Sequence, residues 1–453
     1  MWKNVVETWQ IDSQADPADL EAKQPFVDNG LEVIEPSRYY DKSFMQLEWE
    51  RLWTRVWLIA GIETDIPEPG DYTVFRLGRE SILVVRQQDG SVKAMYNVCA
   101  HRGNLIALND RGSARQFTCA FHSWQYDLDG HCTSITDKET FNPKLVKKTP
   151  ALKPVHCETY AGLIFVSLAE DPPPLREQFG LPEGYLENYE LDKMHCVRHV
   201  VSEWAANWKS GVDAFYETYH LHAVHPETQD VMDDMGVQVD LYPNGCSRML
   251  VPIGVKTKRQ ADQESMNPGL QYMMLEASMD VEAFDGSAAD VRAAIAQAKR
   301  ERSDRLGLGY ERFTDGQLTD SWATGIFPNV QIGLHPEGAF LMRFMPHPTD
   351  PEKFYYDTMT LIRPVDDPDY AVPGWMGVPE GTDTSGEIRP DIEYVPAGES
   401  PNLGLVLDQD SELLPIVQRG IRSRGFNGPI WSEQEQRLRH FHVELNRYLD
   451  GEK

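Results

Sequence analysis

The chain has no block of lysine and arginine, and no apolar run approaches about 18 residues. The first absence argues against a nucleic-acid footprint, because phosphate binding needs clustered cations. The second leaves no candidate membrane span. The opening residues, Met1-Trp2-Lys3-Asn4, lack a charged region followed by an apolar core, so no signal peptide is expected. Cysteine is scarce. Cys99, Cys119, Cys132, Cys157, Cys196 and Cys246 are the six in 453 residues, too few for a disulfide scaffold. These absences point to a soluble protein of a reducing, cytoplasmic compartment.

What is present is an acidic, well-cored chain. A net charge of −28 reads as a solvated acidic surface that would also favour a docking partner with a basic face. Apolar residues make up 41% and aromatics 10%, which excludes global disorder. The length predicts two or three domains.

Patterning along the chain divides it. Phe44, Leu47, Trp53 and Trp57 recur near helical spacing and predict an amphipathic helix over 43–59. From about 62 to 168, short runs such as Tyr72–Leu77, Ser81–Arg86 and Leu163–Leu168 alternate with Asp89-Gly90 and Asp129-Gly130 turns, the texture of a small all-β domain. After Pro172-Pro173-Pro174 the chain turns mixed. A strand-like run, Met194–Ser202, leads to a helix from about 205 to 221. A second helix over 288–304 is capped by Ser287 and Asp290. Strands are expected at 327–334, 339–346 and 353–363, and a long surface loop at 366–402. A terminal helix, capped by Ser432 and Glu435, presents Leu438, Phe441, Leu445 and Tyr448 or Leu449. The expected boundaries are 1–55, 56–168 and 169–453, the first segment belonging with the third.

Two constellations carry chemistry. Cys99-Ala100-His101 is followed, after seventeen residues, by Cys119-Ala120-Phe121-His122. A Rieske-type [2Fe–2S] cluster needs two Cys on one iron and two His on the other, and each box offers one of each. Zinc sites with the same donors usually pair Cys with Cys and His with His. Gly103 is read as permitting close backbone approach to the cluster.

The second constellation runs from Asn207 to Pro226. Asp213, Glu217 and His220 are spaced i, i+4, i+7, one face of a helix. Pro226 disfavours helix at His225, so His225 can turn back toward that face. Non-haem Fe(II) enzymes that use O2 take two His and one carboxylate. His220 and His225 are the candidate imidazoles, and His222 a bystander.

With Cys99-Ala100-His101-Arg102-Gly103, Cys119-Ala120-Phe121-His122-Ser123-Trp124, Asn207-Trp208-Lys209 and Glu217-Thr218-Tyr219-His220 in place, the chain resembles the α (terminal oxygenase) subunits of Rieske non-haem iron ring-hydroxylating oxygenases. The resemblance implies an α+β protein: an all-β Rieske iron–sulfur domain plus a helix-grip catalytic domain, an antiparallel sheet with helices. It implies metal ligation by Cys99, His101, Cys119 and His122 for the cluster. For mononuclear Fe(II) it implies His220, His225 and an Asp about eight residues before a Gln. Asp410, ahead of Gln418, fits that place; Asp408 is its rival. Glu217 matches the carboxylate that bridges to a Rieske His of a neighbouring subunit, with His122 as its partner. Asp213 stands where some dioxygenases carry Asn and is a second candidate catalytic carboxylate. The second box departs from the usual Cys-Pro-Tyr-His, with Ala120 and Phe121 in the middle.

The implied activity is hydroxylation of an aromatic or polycyclic hydrophobic substrate with O2, by cis-dihydroxylation. Monooxygenation or removal of N- or O-alkyl groups is the alternative. The implied partners are an NAD(P)H-dependent reductase, directly or through a ferredoxin, and two further copies in a homotrimer, with a β subunit left open. The substrate pocket is expected from residues 213–232 and 325–345, with Phe215, Phe327, Phe340 and Met342 as lining, and the 288–304 helix as a lid.

Overall fold

A computed structural model describes residues 20–146 and 150–453; the opening residues read for a leader lie outside them. The chain divides into two compact units. One comprises Glu48–Gln178 with Glu190–Lys193; the other holds the segment up to Leu47, Phe179–Tyr189 and Met194–Lys453.

The first unit is β-rich. Its strands are β1 (Trp57–Ile62), β2 (Asp71–Leu77), β3 (Glu80–Arg86), β4 (Val92–Tyr96), β5 (Arg111–Ser113), β6 (Phe117–Thr118), β7 (Gln125–Tyr126), β8 (Cys132–Ser134), β9 (Pro154–Tyr160) and β10 (Leu163–Ser167). A seven-stranded sheet runs β1-β10-β9-β4-β3-β2-β5, and a small one runs β6-β7-β8. Val74, Leu83, Val85, Met95, Trp124, Tyr126 and Leu152 form one core with Cys99 and Cys119, so both thiols are packed as apolar groups. The helix expected over 43–59 is shorter than its pattern. It runs Lys42–Glu48, continues as a π turn to Trp53, and gives way to β1 at Trp57. Trp57 is buried as a strand residue, donating its indole N–H to the Pro173 carbonyl, so aromatic spacing alone overran the element.

The second unit is built on an eight-stranded sheet. Its strands are β11 (His195–Trp204), β12 (Gln238–Leu241), β13 (Ser247–Val251), β14 (Ser321–Ile326), β15 (Val330–His335), β16 (Gly338–Pro346), β17 (Phe354–Ile362) and β18 (Ile392–Val395), ordered β12-β13-β14-β15-β16-β17-β11-β18. All neighbours are antiparallel except β18, which lies parallel to β11. The 366–402 loop therefore contributes a strand as well as surface. Its Ile392-Glu393-Tyr394-Val395 is mostly exposed, which is why polar flanks hid it.

Helices cover one face of this sheet: α1 (Trp208–Phe215), α3 (Leu405–Ile421) and α4 (Gln436–Leu449), with α2 (Val291–Glu301) packed further along the chain. In α1 the Asn207 side chain caps the Lys209 N–H at 3.0 Å. Gly211 lets α1 lie directly on the sheet, since a Cβ there would come within 2.6 Å of Phe344. In α4, Ser432 and Glu435 form the expected capping box, and Leu438, Phe441, Leu445 and Tyr448 are buried. The Ser287–Asp290 box ahead of α2 also forms. The expected lid, α2, is tied to its neighbours by side-chain contacts. Arg292 pairs with Asp320 at 2.6 Å, Lys299 with Glu337 at 2.7 Å, and Arg300 donates to the Phe313 carbonyl.

The helix α3 has no counterpart in the sequence reading. Its buried stripe is Asp410, Leu414, Gln418 and Ile421, with Pro415 inside. Two of its four inward residues are polar, so an apolar-periodicity search passes over it.

Candidate metal centres

The two Cys–His boxes fold alike. In one loop the Cys99 N–H donates to the Asn104 carbonyl and the Gly103 N–H to the Cys99 carbonyl. In the other the Cys119 N–H donates to the Trp124 carbonyl and the Ser123 N–H to the Cys119 carbonyl. The fourth residue past each Cys takes a left-handed conformation, φ +78° at Gly103 and +59° at Ser123. A Cβ on Gly103 would meet nothing within 4 Å. The positive backbone angle by itself favours glycine at this position.

The loops bring four donors together. Cys99 and Cys119 are buried free thiols in hydrogen-bond contact with each other. The His101 and His122 rings meet at 4.6 Å, and His101 lies flat on Trp124 at 4.7 Å and 6°. His101 Nδ1 is buried without a hydrogen-bond partner among the described residues. Burial, then His122 and Arg102, hold His101 below the ordinary imidazole pKa, in its neutral form. Burial works against ionising Cys119, but the N–H groups of Phe121 and His122 and the Cys99 and Asn104 side chains bring its thiol below the usual range. Two paired thiols facing two imidazoles are the donor set a Rieske cluster requires.

Tyr126 is a further residue here that the sequence reading missed. Its hydroxyl accepts from the Ala100 N–H at 3.1 Å and lies 3.2 Å from Cys99 Sγ. Burial, then the Cys99 contact, raises its pKa, so it stays a phenol and a donor to the sulfur. Its only sequence signal is its place four residues after His122, in β7.

The second constellation does not share one helical face. α1 stops at Phe215 because Tyr216 is anchored on the sheet, its hydroxyl donating to the Val330 carbonyl at 2.6 Å and Arg437 lying 4.2 Å over its ring. Glu217 then folds back, accepting from the His220 N–H at 3.1 Å, and a new helical turn, Leu221–Val224, begins. The helix expected over 205–221 is thus two pieces with a corner.

That corner aims the imidazoles. His220 Nε2 lies 3.8 Å, and His225 Nε2 3.1 Å, from Asp410 Oδ1, and all three donor atoms fall within 4.8 Å of one another. Both Nδ1 atoms face side-chain oxygens: that of His220 meets Glu217 Oε1, and that of His225 lies 2.6 Å from Gln409 Oε1. Those acceptors assign the proton to Nδ1 and leave the Nε2 lone pairs converging. Burial opposes charge on His220, but Glu217 and Asp410 outweigh it and raise its pKa. A cation held by these donors would take the place of that proton. Asp408 is not in the cluster; its carboxylate accepts from the Leu403 N–H at 3.2 Å, near the start of α3. Gln418, two turns beyond Asp410, accepts from the Asn207 N–H at 2.9 Å and donates to the Tyr39 carbonyl at 3.0 Å, tying α3 to the start of α1. His222 stays outside the cluster, its ring 5.9 Å from that of Tyr219.

Asp213 also lies outside it. Its Oδ2 accepts from the Tyr39 hydroxyl at 2.6 Å, and its Oδ1 lies 3.1 Å from His442 Nε2. Arg38 donates to His442 Nδ1 at 3.0 Å, which places the ring proton on Nε2, toward Asp213. Burial, then Arg38 and Lys209 against Asp213, holds His442 below the ordinary imidazole pKa. Such a group binds a proton more readily when unfolded. Its stabilising contribution is full above about pH 6.5 and is lost as pH falls toward the folded value. Asp213→Ala strands the Tyr39 and His442 donors and is expected to cost about 1–3 kcal/mol in urea unfolding, with metal content unchanged.

Phe215 packs on Phe344 and Tyr356, while Phe327 stacks on Tyr448 at 5.5 Å and belongs to the core under α4, not to a pocket. The Tyr356 hydroxyl is buried without a partner among the described residues. Burial, then Asp410, keeps it a neutral phenol.

Residues 191–451 match the family model for the ring hydroxylating alpha subunit (catalytic domain), and residues 56–152 that for the Rieske [2Fe-2S] domain. The chain belongs to the ring-hydroxylating alpha-subunit family and carries a Rieske domain. Among its relatives, the glycine betaine monooxygenase oxygenase subunit of Pseudomonas aeruginosa is 32% identical over 189 residues, 42% of this chain and 44% of that protein. The chlorobenzene dioxygenase subunit alpha of a Cupriavidus species is 36% identical over 203 residues, 44% of this chain and 45% of that protein. These matches span under half the length of either relative. In fold the chain is similar to naphthalene 1,2-dioxygenase with indole bound, at TM-score 0.64 and 18% identity over 94% of this chain and 93% of that one. It is likewise similar to a quaternary ammonium Rieske monooxygenase in complex with L-carnitine, at TM-score 0.62 and 18% identity over 93% and 97%. No helix among the described residues is long and apolar enough to cross a membrane.

Proposed function

We propose that this chain is the terminal component of a cytoplasmic Rieske oxygenase that hydroxylates an aromatic or polycyclic hydrophobic substrate, by cis-dihydroxylation. The carrying observation is the convergence of His220 Nε2, His225 Nε2 and Asp410 Oδ1 in a chain that also gathers two thiols and two imidazoles. Cys99, His101, Cys119 and His122 would hold the [2Fe–2S] cluster, and His220, His225 and Asp410 one Fe(II). Bound there, the iron supplies O2 activation, for which a two-His, one-carboxylate face leaves positions open.

The protein's own groups set up that chemistry. Glu217 and Gln409 fix the two ring tautomers, and α3 holds Asp410 against them. Tyr356 offers a neutral donor close to Asp410. Asp213 acts as a positioning residue, through Tyr39 and His442. Electrons come from NAD(P)H through a reductase or ferredoxin. Glu217 is the entry point from a neighbouring subunit in a homotrimer, meeting His122 of the partner subunit; the neighbouring Phe121, half-exposed, puts this box at a surface. Tyr126→Phe removes a donor to Cys99 Sγ and is expected to lower the cluster potential. A bond of about 1 kcal/mol corresponds to about 40 mV for one electron, read by redox titration.

The similarity to quaternary ammonium and glycine betaine monooxygenases supports a second reading, oxidative removal of an alkyl group. Turnover under 18O2 separates the two. A cis-diol carrying both labelled atoms supports ring dihydroxylation; one labelled atom, or release of an aldehyde fragment, contradicts it in favour of the monooxygenase.

A further inference from the structure

The sheet register lays out one face of the second unit beyond the metal cluster. Side chains two residues apart on a strand share a face. Phe344 pairs with Tyr356, Met342 with Thr358, and Phe340 with Thr360. On the neighbouring strand Gly333 pairs with Phe340, and His335 with Gly338. Tyr356, Thr358, Thr360, Met342, Phe340, Gly333 and His335 therefore line the same face. Tyr356 marks the end near Asp410.

This face is hollow in its middle. β15 is the fourth of eight strands, yet Gly333 and its partner Phe340 are both partly exposed between buried neighbours. A Cβ on Gly333 would meet nothing within 4 Å. The Gly333–Phe340–Thr360 row lies four residues, about 13 Å, along the sheet from the Phe344–Tyr356 row.

His335 stands at the far end of that hollow. It is only 7% exposed, yet neither ring nitrogen is among the fully buried unpartnered atoms, and no hydrogen bond to its ring is found among the described residues, so its polar edge keeps some access. One side of it is covered by Trp375, 4.0 Å away and itself half-exposed. Burial takes its pKa down to about 4, so at neutral pH it is an uncharged imidazole with a free donor and a free acceptor. An imidazole edge with no protein partner beside an apolar run favours a ligand that completes it.

Resting on the oxygenase reading, we propose that His335 is a specificity-determining residue that hydrogen-bonds a polar group at the distal end of an elongated substrate of two or more rings, whose other end lies at the His220–His225–Asp410 cluster. The apolar run from Met342 to Phe340 takes the ring body, Gly333 gives it room, and the His335–Trp375 pair reads its tip.

Anaerobic calorimetry on the purified full chain, with biphenyl and 4-hydroxybiphenyl as probes, tests this without O2 or electrons. The native chain should bind the hydroxylated probe at least about tenfold more tightly. His335→Phe, which keeps a ring against Trp375, should erase that preference and leave biphenyl binding within about twofold, while His335→Gln restores part of it. Gly333→Val should weaken both probes about tenfold or more by filling the hollow. The proposal is overturned if the native chain shows no preference, if the preference survives in His335→Phe, or if neither probe binds. Loss of O2 uptake with binding intact would instead count against the oxygenase reading alone.

Discussion

Glu217→Gln is expected to keep its iron and its fold and to lose coupled turnover by about 100-fold, the upper range for changes in groups that orient a metal ligand. Glutamine has one oxygen where Glu217 uses two, so it keeps the acceptor for Nδ1 and gives up that for the His220 N–H, while its size holds the corner after α1. What it removes is the negative charge that supports His220 and, in the proposed trimer, faces His122 of the partner subunit. Iron and labile sulfide should match the native chain, and the cluster should still be reduced by dithionite. Stopped-flow spectroscopy should then show slow cluster reoxidation on mixing with O2 and substrate. Full turnover with both centres present would rule out Glu217 as the bridge.

Asp410→Ala is expected to empty the mononuclear site and abolish oxygenation, because two imidazoles alone lose the carboxylate of the facial set. The rival position supplies the control. Asp408 lies near the start of α3, so Asp408→Ala should cost about 1 kcal/mol of stability and leave iron bound. Iron per chain, measured after desalting, separates the two. Retention of the third iron in Asp410→Ala, with its loss in Asp408→Ala, would reverse the assignment.

The parts legible in the sequence were those that local chemistry dictates. Each Cys–His box makes one hairpin tip, so spacing alone announced it. The capping boxes at Ser287 and Ser432 depend on residues three apart, and both formed. What hid was set by distant partners. The break after Phe215 comes from Tyr216 reaching Val330, more than a hundred residues on, and it turns the i, i+4, i+7 spacing into a corner. Asp213 was grouped with Glu217 for that reason, although its partners Tyr39 and His442 come from opposite ends of the chain. α3 was missed because its inward side carries Asp410 and Gln418, polar for reasons of function, and those same two residues gave the family its mark. Gln409 could have been suspected only as a neighbour of Asp410. Phe327 was misplaced because an aromatic near a predicted site looks the same in sequence whether it lines a pocket or packs under α4.

Metal and sulfide analysis of the purified chain is the most direct measurement of whether two separate iron centres exist. Two donor sets of this composition predict about three irons and about two labile sulfides per chain, falling to about two irons with unchanged sulfide in His220→Ala. Zinc in place of iron, an absence of sulfide, or a His220→Ala chain that keeps all of its iron would contradict it.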